Sequence, residues 1–98
     1  MKKSRGTEVI RTEVRKKDGY EYKYSLSLSE GQRVASYGIP LYSISVEMTA
    51  PSTEEATKSD ATNLFSDLSK ATGFFDKIVD NLATPIDLPY IVEDEFSK

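Results

Sequence analysis

The strongest pattern in the chain is a strict alternation of apolar and polar residues between Tyr20 and Leu28. The apolar positions are Tyr20, Tyr22, Tyr24, Leu26 and Leu28. The polar positions between them are Glu21, Lys23, Ser25 and Ser27. A period of two is typical of an extended strand with one buried and one solvent-exposed face. The chain is therefore expected to form a sheet that is covered on one side.

A strand is also predicted before this one, from residue 7 to residue 15, with Lys-Asp-Gly at 17–19 as the hairpin loop. Asp-Gly favours a tight turn because glycine adopts positive φ without penalty. A two-residue loop would set Val14 opposite Lys23, whereas a three-residue loop would set Val14 opposite Tyr22. Only the three-residue loop stacks apolar residues on one face, so we predict that register.

A third strand is predicted to end at residue 48, because apolar and polar residues alternate again before it. The apolar residues are Tyr42, Ile44, Val46 and Met48. Proline cannot donate a ladder hydrogen bond, so Pro40 predicts a bulge or an outer strand near residues 37–40. The three strands over residues 7–48 are expected to form an antiparallel meander in the order 1-2-3.

After residue 48 the spacing of apolar residues changes from strand-like to helical. Residues 49–58 are polar, contain Pro51 and predict a mobile linker. Over residues 59–83 the apolar residues form a single stripe in helical phase, which predicts one long helix on the sheet. Gly73 lies within it, where a kink could form because glycine costs about 1 kcal/mol inside a helix. The stripe consists of Ala61, Leu64, Phe65, Leu68, Ala71, Phe75, Ile78, Val79 and Leu82.

A short final helix is predicted over residues 87–96, after Thr84 and Pro85 end the long one. Asp87 is the expected N-cap, with a hydrophobic contact between Ile86 and Ile91. The predicted fold is therefore α+β: a three-stranded antiparallel meander packed on one face by a long C-terminal helix, plus a short final helix. The 98 residues predict a single domain with a flexible N-terminus at 1–6.

The amino-acid composition lacks the residue types that most often carry out catalysis or bind transition metals. The chain has no cysteine and no histidine, so it lacks thiolate ligands and the commonest general base. It also lacks a phosphate-binding loop and a nucleophile motif. We expect a protein that is not an enzyme and holds no cofactor and no metal. No apolar stretch predicts a signal peptide or a membrane span, so a cytoplasmic location is expected.

Charge is divided unevenly along the chain. Residues 1–49 carry a net charge of +3 and residues 50–98 a net charge of −6. Such a division is commonly mere solvation, but it also allows one face to dock on a charged partner. Tyrosines beside lysines can stack nucleic-acid bases. A core role under the helix explains these tyrosines better, and the acidic total further disfavours nucleic acid as a partner.

The C-terminal third carries motifs with a family resemblance. The run from Phe75 to Leu88 leads to Ile91-Val92-Glu93-Asp94-Glu95-Phe96. It resembles the close of a family of small uncharacterised Firmicutes (Clostridia-type) proteins, a domain of unknown function. The Tyr-x-Tyr-x-Leu strand and the later Tyr-Gly-Ile are similar to that family as well, so the resemblance spans residues 20–96. Glu95 departs from the closing motif by separating the acidic pair from Phe96. The resemblance implies a short bacterial protein. It implies no particular activity, because the family has none assigned.

These observations favour a protein-interaction or regulatory module whose partner is another protein or a second copy. Its candidate surfaces are an exposed strand edge, the polar sheet face and the acidic final helix. The residues are Glu21, Lys23, Ser25 and Ser27 on the sheet, and Glu93, Asp94 and Glu95 on the helix. The alternative is a nucleic-acid or anionic-ligand site on the basic N-terminal hairpin. Its residues are Arg11, Arg15, Lys16 and Lys17.

Overall fold

The computed structural model describes residues 8–30, 40–52 and 55–97. Its strands are β1 (Glu8–Lys17), β2 (Tyr20–Glu30), β3 (Pro40–Thr49) and β4 (Ala56–Phe65). They form one antiparallel sheet in the order β1-β2-β3-β4. The helices α1 (Leu68–Asp80) and α2 (Asp87–Phe96) follow. The predicted α+β class and meander are confirmed, but the sheet has four strands rather than three.

The core lies between one face of this sheet and the two helices. The strands supply Tyr24, Leu26, Tyr42, Ile44 and Val46 to it. The helices and the segment between them supply Ala71, Phe74, Phe75, Ile78, Val79, Ala83 and Leu88. Alternation of side chains along β2 and β3 explains why these strand residues share a face. The apolar set read from residues 20–28 therefore covers the core, with Tyr20 at its open end still 37 % exposed.

The predicted register of the first hairpin is wrong. The structure sets Val14 opposite Lys23 and joins the strands by a two-residue turn. Asp18 and Gly19 have φ values of 55° and 84°, the positive pair that a type I′ turn requires. Apolar matching does not decide the register here, because β1 is an edge strand.

A bulge and charged side chains adapt β1 to the edge of the sheet. The register with β2 shifts between Val9 and Arg11, and the intervening Ile10 is half-buried against the core. Arg11 lies over the ring of Phe75 at 4.9 Å and places a guanidinium nitrogen 3.0 Å from the Asp76 carboxylate. Charged inward positions and bulges are common on edge strands because they oppose pairing with another chain.

The predicted linker at 49–58 and the first part of the predicted helix at 59–83 are also corrected. Ala50 donates its N–H to the Glu55 carbonyl at 3.1 Å, which closes a turn into β4. The β4 strand has small or polar residues through most of its length, so it shows no apolar alternation. Its register with β3 shifts so that Tyr42 pairs with Phe65 and Ile44 with Ala61. With this irregularity Ala61, Leu64 and Phe65 all pack against the core from one strand, although their spacing in the sequence is helical.

Helix α1 begins later than the sequence indicates. The Asp67 carboxylate accepts the Ser69 N–H at 3.3 Å and caps the helix, so the predicted start near residue 59 is wrong. The helix runs through Gly73 without interruption and ends at Asp80. An outer strand at Pro40 is wrong, because β3 pairs with both β2 and β4. Residues 37–39, where a bulge was the alternative, lie outside the described residues, as does the predicted flexible N-terminus at 1–6.

A single buried hydrogen bond joins the centre of the sheet to the segment between the helices. The fully buried Tyr24 donates its hydroxyl to the Ala83 carbonyl at 3.0 Å. Burial raises the pKa of Tyr24 to about 12 from its ordinary 10.0, with Tyr22 and Asp87 acting in the same direction and Arg15 against it. The Tyr24 hydroxyl therefore loses its proton at lower pH in the unfolded chain than in the folded protein.

Gly19→Ala and Gly73→Ala should change stability in opposite directions. A Cβ at Gly19 would meet the Pro51 Cβ at 3.0 Å on a residue with φ of 84°, so we expect a loss of about 1–2 kcal/mol. A Cβ at Gly73 meets nothing within 4 Å, so alanine should stabilise α1 by about 1 kcal/mol. Urea unfolding measures both, and a stabilising Gly19→Ala would contradict the turn described above.

Tyr24→Phe should lower the free energy of unfolding by about 1–2 kcal/mol at neutral pH, because it leaves the Ala83 carbonyl without its donor. Since the folded-state pKa of Tyr24 is raised, its contribution is complete below pH of about 10 and is lost towards pH of about 12. The difference between the two proteins should therefore shrink over that range. Tyr20→Phe is the exposed control. An unchanged difference across the range would refute the burial of this hydroxyl.

Candidate interaction surface on the last helix

The end of α1 has a defined geometry that aims the chain towards α2. Leu82 donates its N–H to the Val79 carbonyl at 3.1 Å, and Ala83 donates to the Ile78 carbonyl at 3.2 Å. These two bonds are the Schellman pattern, which uses a residue in the left-handed region. Leu82 is that residue, with φ of 50°. The helix therefore stops directly before the Ala83 carbonyl that receives the Tyr24 hydroxyl.

A reciprocal pair of hydrogen bonds then starts the turn into α2. The Thr84 hydroxyl accepts the Asp87 N–H at 3.2 Å, and the Asp87 carboxylate accepts the Thr84 N–H at 3.1 Å. This is a capping box, with Pro85 in the first-turn position where its missing N–H costs nothing. The predicted bounds of the final helix at 87–96 are confirmed, but Asp87 closes the box rather than serving as the N-cap.

The two sides of α2 differ sharply in exposure. Leu88 is buried in the core, and Ile91 is partly buried against it. On the other side Ile86 is 70 % exposed and Tyr90 is 69 % exposed. Residues four apart on a helix are neighbours, so these two side chains are placed to form one apolar patch. The expected contact between Ile86 and Ile91 is wrong, because Ile86 faces solvent.

A groove lies beside this patch between α1 and α2. Its volume is about 430 Å³, within the range of roughly 300–1,000 Å³ that is typical of binding clefts. Its lining residues are Lys77, Ile78, Asn81, Asp87, Tyr90, Ile91 and Asp94. Ile78, Ile91 and the Tyr90 ring are its apolar members. It can therefore receive an apolar side chain beside polar groups.

The acidic residues predicted on the final helix occupy different surroundings. Glu93 and Asp94 are exposed, while Glu95 is half-buried and lies 3.5 Å from the Lys77 ammonium. Asp94 lines the groove. Within the described parts of the chain, no cation lies within ion-pair distance of the Asp94 carboxylate. The three residues therefore do not form one site, and Asp94 is the member that meets the apolar surface.

The predicted polar sheet face is present on the side away from the helices. Cross-strand pairs place Lys23 beside Glu47, Ser25 beside Ser45, and Ser27 beside Ser43. Glu21 lies at the hairpin end of the same face. A shallow groove of about 450 Å³ runs over the serines towards Asp60 and Asn63. Apart from Val9 and Val14 on β1, this face carries hydroxyls and charges of alternating sign, so its centre offers a partner little apolar area.

The four basic residues predicted as an anion site do not converge. Arg11 bonds Glu13 and Asp76, and Arg15 also bonds Glu13, at 3.2 Å. The hydrogen bond with Glu13 raises the pKa of Arg11, and the hydrogen bonds from Arg11 and Arg15 lower the pKa of Glu13. Lys16 is exposed on the opposite face of β1 from Arg11 and Arg15, and Lys17 is exposed where the strand ends. The carboxylates of Glu13 and Asp76 thus already form ion pairs with the guanidinium groups of Arg11 and Arg15.

The described residues contain no group of three or more Asp or Glu side chains placed to hold a metal ion. No helix in the described part of the chain has the length and apolar character needed to cross a membrane. Sequence reasoning missed the apolar patch of Ile86 and Tyr90. The Thr-Pro-Ile-Asp run at 84–87 carried the signal, because a capping box there turns Ile86 away from the core.

Thr84→Ala should destabilise the protein by about 1 kcal/mol, because the Asp87 N–H loses its side-chain acceptor. Thr72→Ala is the matched control. The Thr72 hydroxyl donates to the Leu68 carbonyl inside α1 and caps no helix end, so alanine should be neutral or stabilising there. Urea unfolding compares the two variants. Equal losses would show that the capping box does not hold α2.

Comparison with known proteins gives a family but no activity. No curated protein and no solved structure matches the chain significantly. The Firmicutes origin suggested by the resemblance stays a prediction. A family model described as a family of unknown function, DUF6514, matches residues 3–98. Since the match spans nearly the whole sequence, the chain belongs to the DUF6514 family.

Proposed function

We propose that this chain is a non-enzymatic protein-interaction module that contacts a partner through the exposed side of α2. The observation that carries the proposal is the pair Ile86 and Tyr90, each about 70 % exposed on one helix face. Covering large apolar side chains removes them from water, at about 25 cal/mol for each Å² of apolar surface buried. Tyrosine is also among the residues that most often dominate binding energy in interfaces.

The rigidity of α2 supports the same proposal. Leu88 is 1 % exposed and anchors the inner side of the helix, while the capping box fixes its first turn. A surface that is already ordered loses less conformational entropy on binding. The side chains of Ile86 and Tyr90 are therefore presented from a fixed backbone.

The other surfaces are weaker candidates. The polar sheet face on the side away from the helices, called the open sheet face below, carries serine side chains and charges of opposite sign. Lys23, for example, lies beside Glu47. Self-pairing through the β1 edge is opposed by its bulge and its inward charges. An anion site on the hairpin is the weaker alternative function, because Glu13 and Asp76 hold the guanidinium groups of Arg11 and Arg15.

The test is affinity capture from a host-type lysate by the immobilised chain, with and without nuclease. The paired variant Ile86→Ser/Tyr90→Ser should lose a protein partner that survives nuclease treatment, at least tenfold in recovered amount, since two exposed hot-spot side chains are removed. The control Val9→Thr/Val14→Thr removes two exposed apolar residues from the open sheet face and should retain the partner.

Both variants change exposed residues, so urea unfolding should show free energies within about 0.5 kcal/mol of the parent protein. Retention of the partner by both variants would refute the role of α2. Loss of all captured protein on nuclease treatment would instead favour the hairpin as a nucleic-acid site.

A further inference from the structure

The groove between α1 and α2 has an apolar floor with acidic groups beside it. Ile78 of α1 and Ile91 of α2 line it, and the exposed Tyr90 forms one wall. Asp87 and Asp94 lie among the same lining residues. A side chain that fills this groove therefore contacts hydrocarbon and lies close to carboxylates.

The charge around the groove is net negative, because its lining holds the carboxylates of Asp87 and Asp94 and the single ammonium of Lys77 among the described residues. Helix α2 contains Asp87, Glu93, Asp94 and Glu95 and has no basic residue. Lys77 is the cation among the described lining residues, and its ammonium lies 3.5 Å from the Glu95 carboxylate. None of the ion pairs among the described residues involves the Asp94 carboxylate, so it is open to a cation of a partner. A cation beside the groove is attracted and an anion is repelled, as electrostatic complementarity in interfaces requires.

We infer that the occupant of this groove is a basic amphipathic segment of the protein partner. One apolar side chain of the segment enters between Ile78 and Ile91 and packs on the Tyr90 ring. A lysine or arginine next to it in the segment faces Asp94. This inference rests on the proposed function and adds the chemistry of the partner to it.

The mode of binding follows from the arrangement of the surface. Ile86 and Tyr90 lie one helical turn apart and the groove runs beside them, so the apolar contacts form a stripe rather than a point. A stripe of this kind fits the apolar face of an amphipathic helix, a recurring mode of peptide recognition. Basic residues flanking that face then lie over the acidic side of α2.

The test uses synthetic peptides as probes with the full chain. The first peptide has leucine at helical spacing with lysine elsewhere, the second replaces lysine with glutamate, and the third replaces leucine with serine. Binding is measured by fluorescence anisotropy and by amide shifts in the ¹⁵N-labelled protein. We expect the leucine–lysine peptide to bind at least tenfold more tightly than the other two, with shifts at Ile78, Tyr90 and Ile91.

A charge-reversal pair locates the cation. Asp94→Lys should weaken binding of the leucine–lysine peptide about fivefold, because it removes an attraction and adds a repulsion of the size usual for exposed charges. The control Asp60→Lys makes the same change on the open sheet face, where the carboxylate lies 4.0 Å from Lys58, and should leave the affinity unchanged. High salt should weaken binding to the parent chain as well.

Three outcomes would overturn the inference: equal binding of the lysine and glutamate peptides, equal losses in the two charge variants, or shifts confined to the hairpin or open face. Failure of all the peptides to bind would overturn it too. The proposed function would then be judged separately by the capture experiment. A partner still lost from Ile86→Ser/Tyr90→Ser would show that α2 binds a protein of different chemistry.

Discussion

The hydrogen bond from the Tyr24 hydroxyl to the Ala83 carbonyl is the contact on which the arrangement of the helices depends. Tyr24 is fully buried in the central strand β2, so its hydroxyl must find a partner inside the protein. Ala83 supplies one at the point where α1 has ended and the capping box of α2 begins. A single residue of the sheet thereby fixes the position from which α2 starts. Because Leu88 then enters the core, Ile86 and Tyr90 are left facing solvent.

The parts of the fold that depend on a buried apolar face could be predicted from the sequence. The alternation from Tyr20 to Leu28 identified β2, and the final helix at 87–96 was evident from its apolar side. The fourth strand could not be predicted. Its inner side carries Thr57, Ser59 and Ala61, so its sequence shows no alternation of apolar and polar residues. The prediction that Val14 pairs with Tyr22 was wrong for a related reason. The inner side of β1 carries Arg11 and Arg15, so apolar matching across the hairpin did not apply.

The candidate surface could be predicted only in part. The acidic run at 93–95 pointed to α2, but charge alone could not separate Asp94, which lines the groove, from Glu95, which lies beside Lys77. Ile86 and Tyr90 are apolar, and in a sequence an apolar residue is first assigned to the core. Their exposure depends on the direction that the turn at Leu82 and the capping box give to α2. This direction is set only in the folded chain. The same holds for the groove, which needs Ile78 and Ile91 from two different helices.

Site-specific photo-cross-linking from position 90 shows directly whether a protein partner binds to the exposed side of α2. A cross-linking residue placed at 90, and in a second protein at Ser27 on the open sheet face, is irradiated in lysate and the products are identified by mass spectrometry. We expect a cross-linked protein from position 90 alone, attached through a segment in which apolar and basic residues are interleaved. A product from position 27 alone, or the same products from both positions, would contradict it.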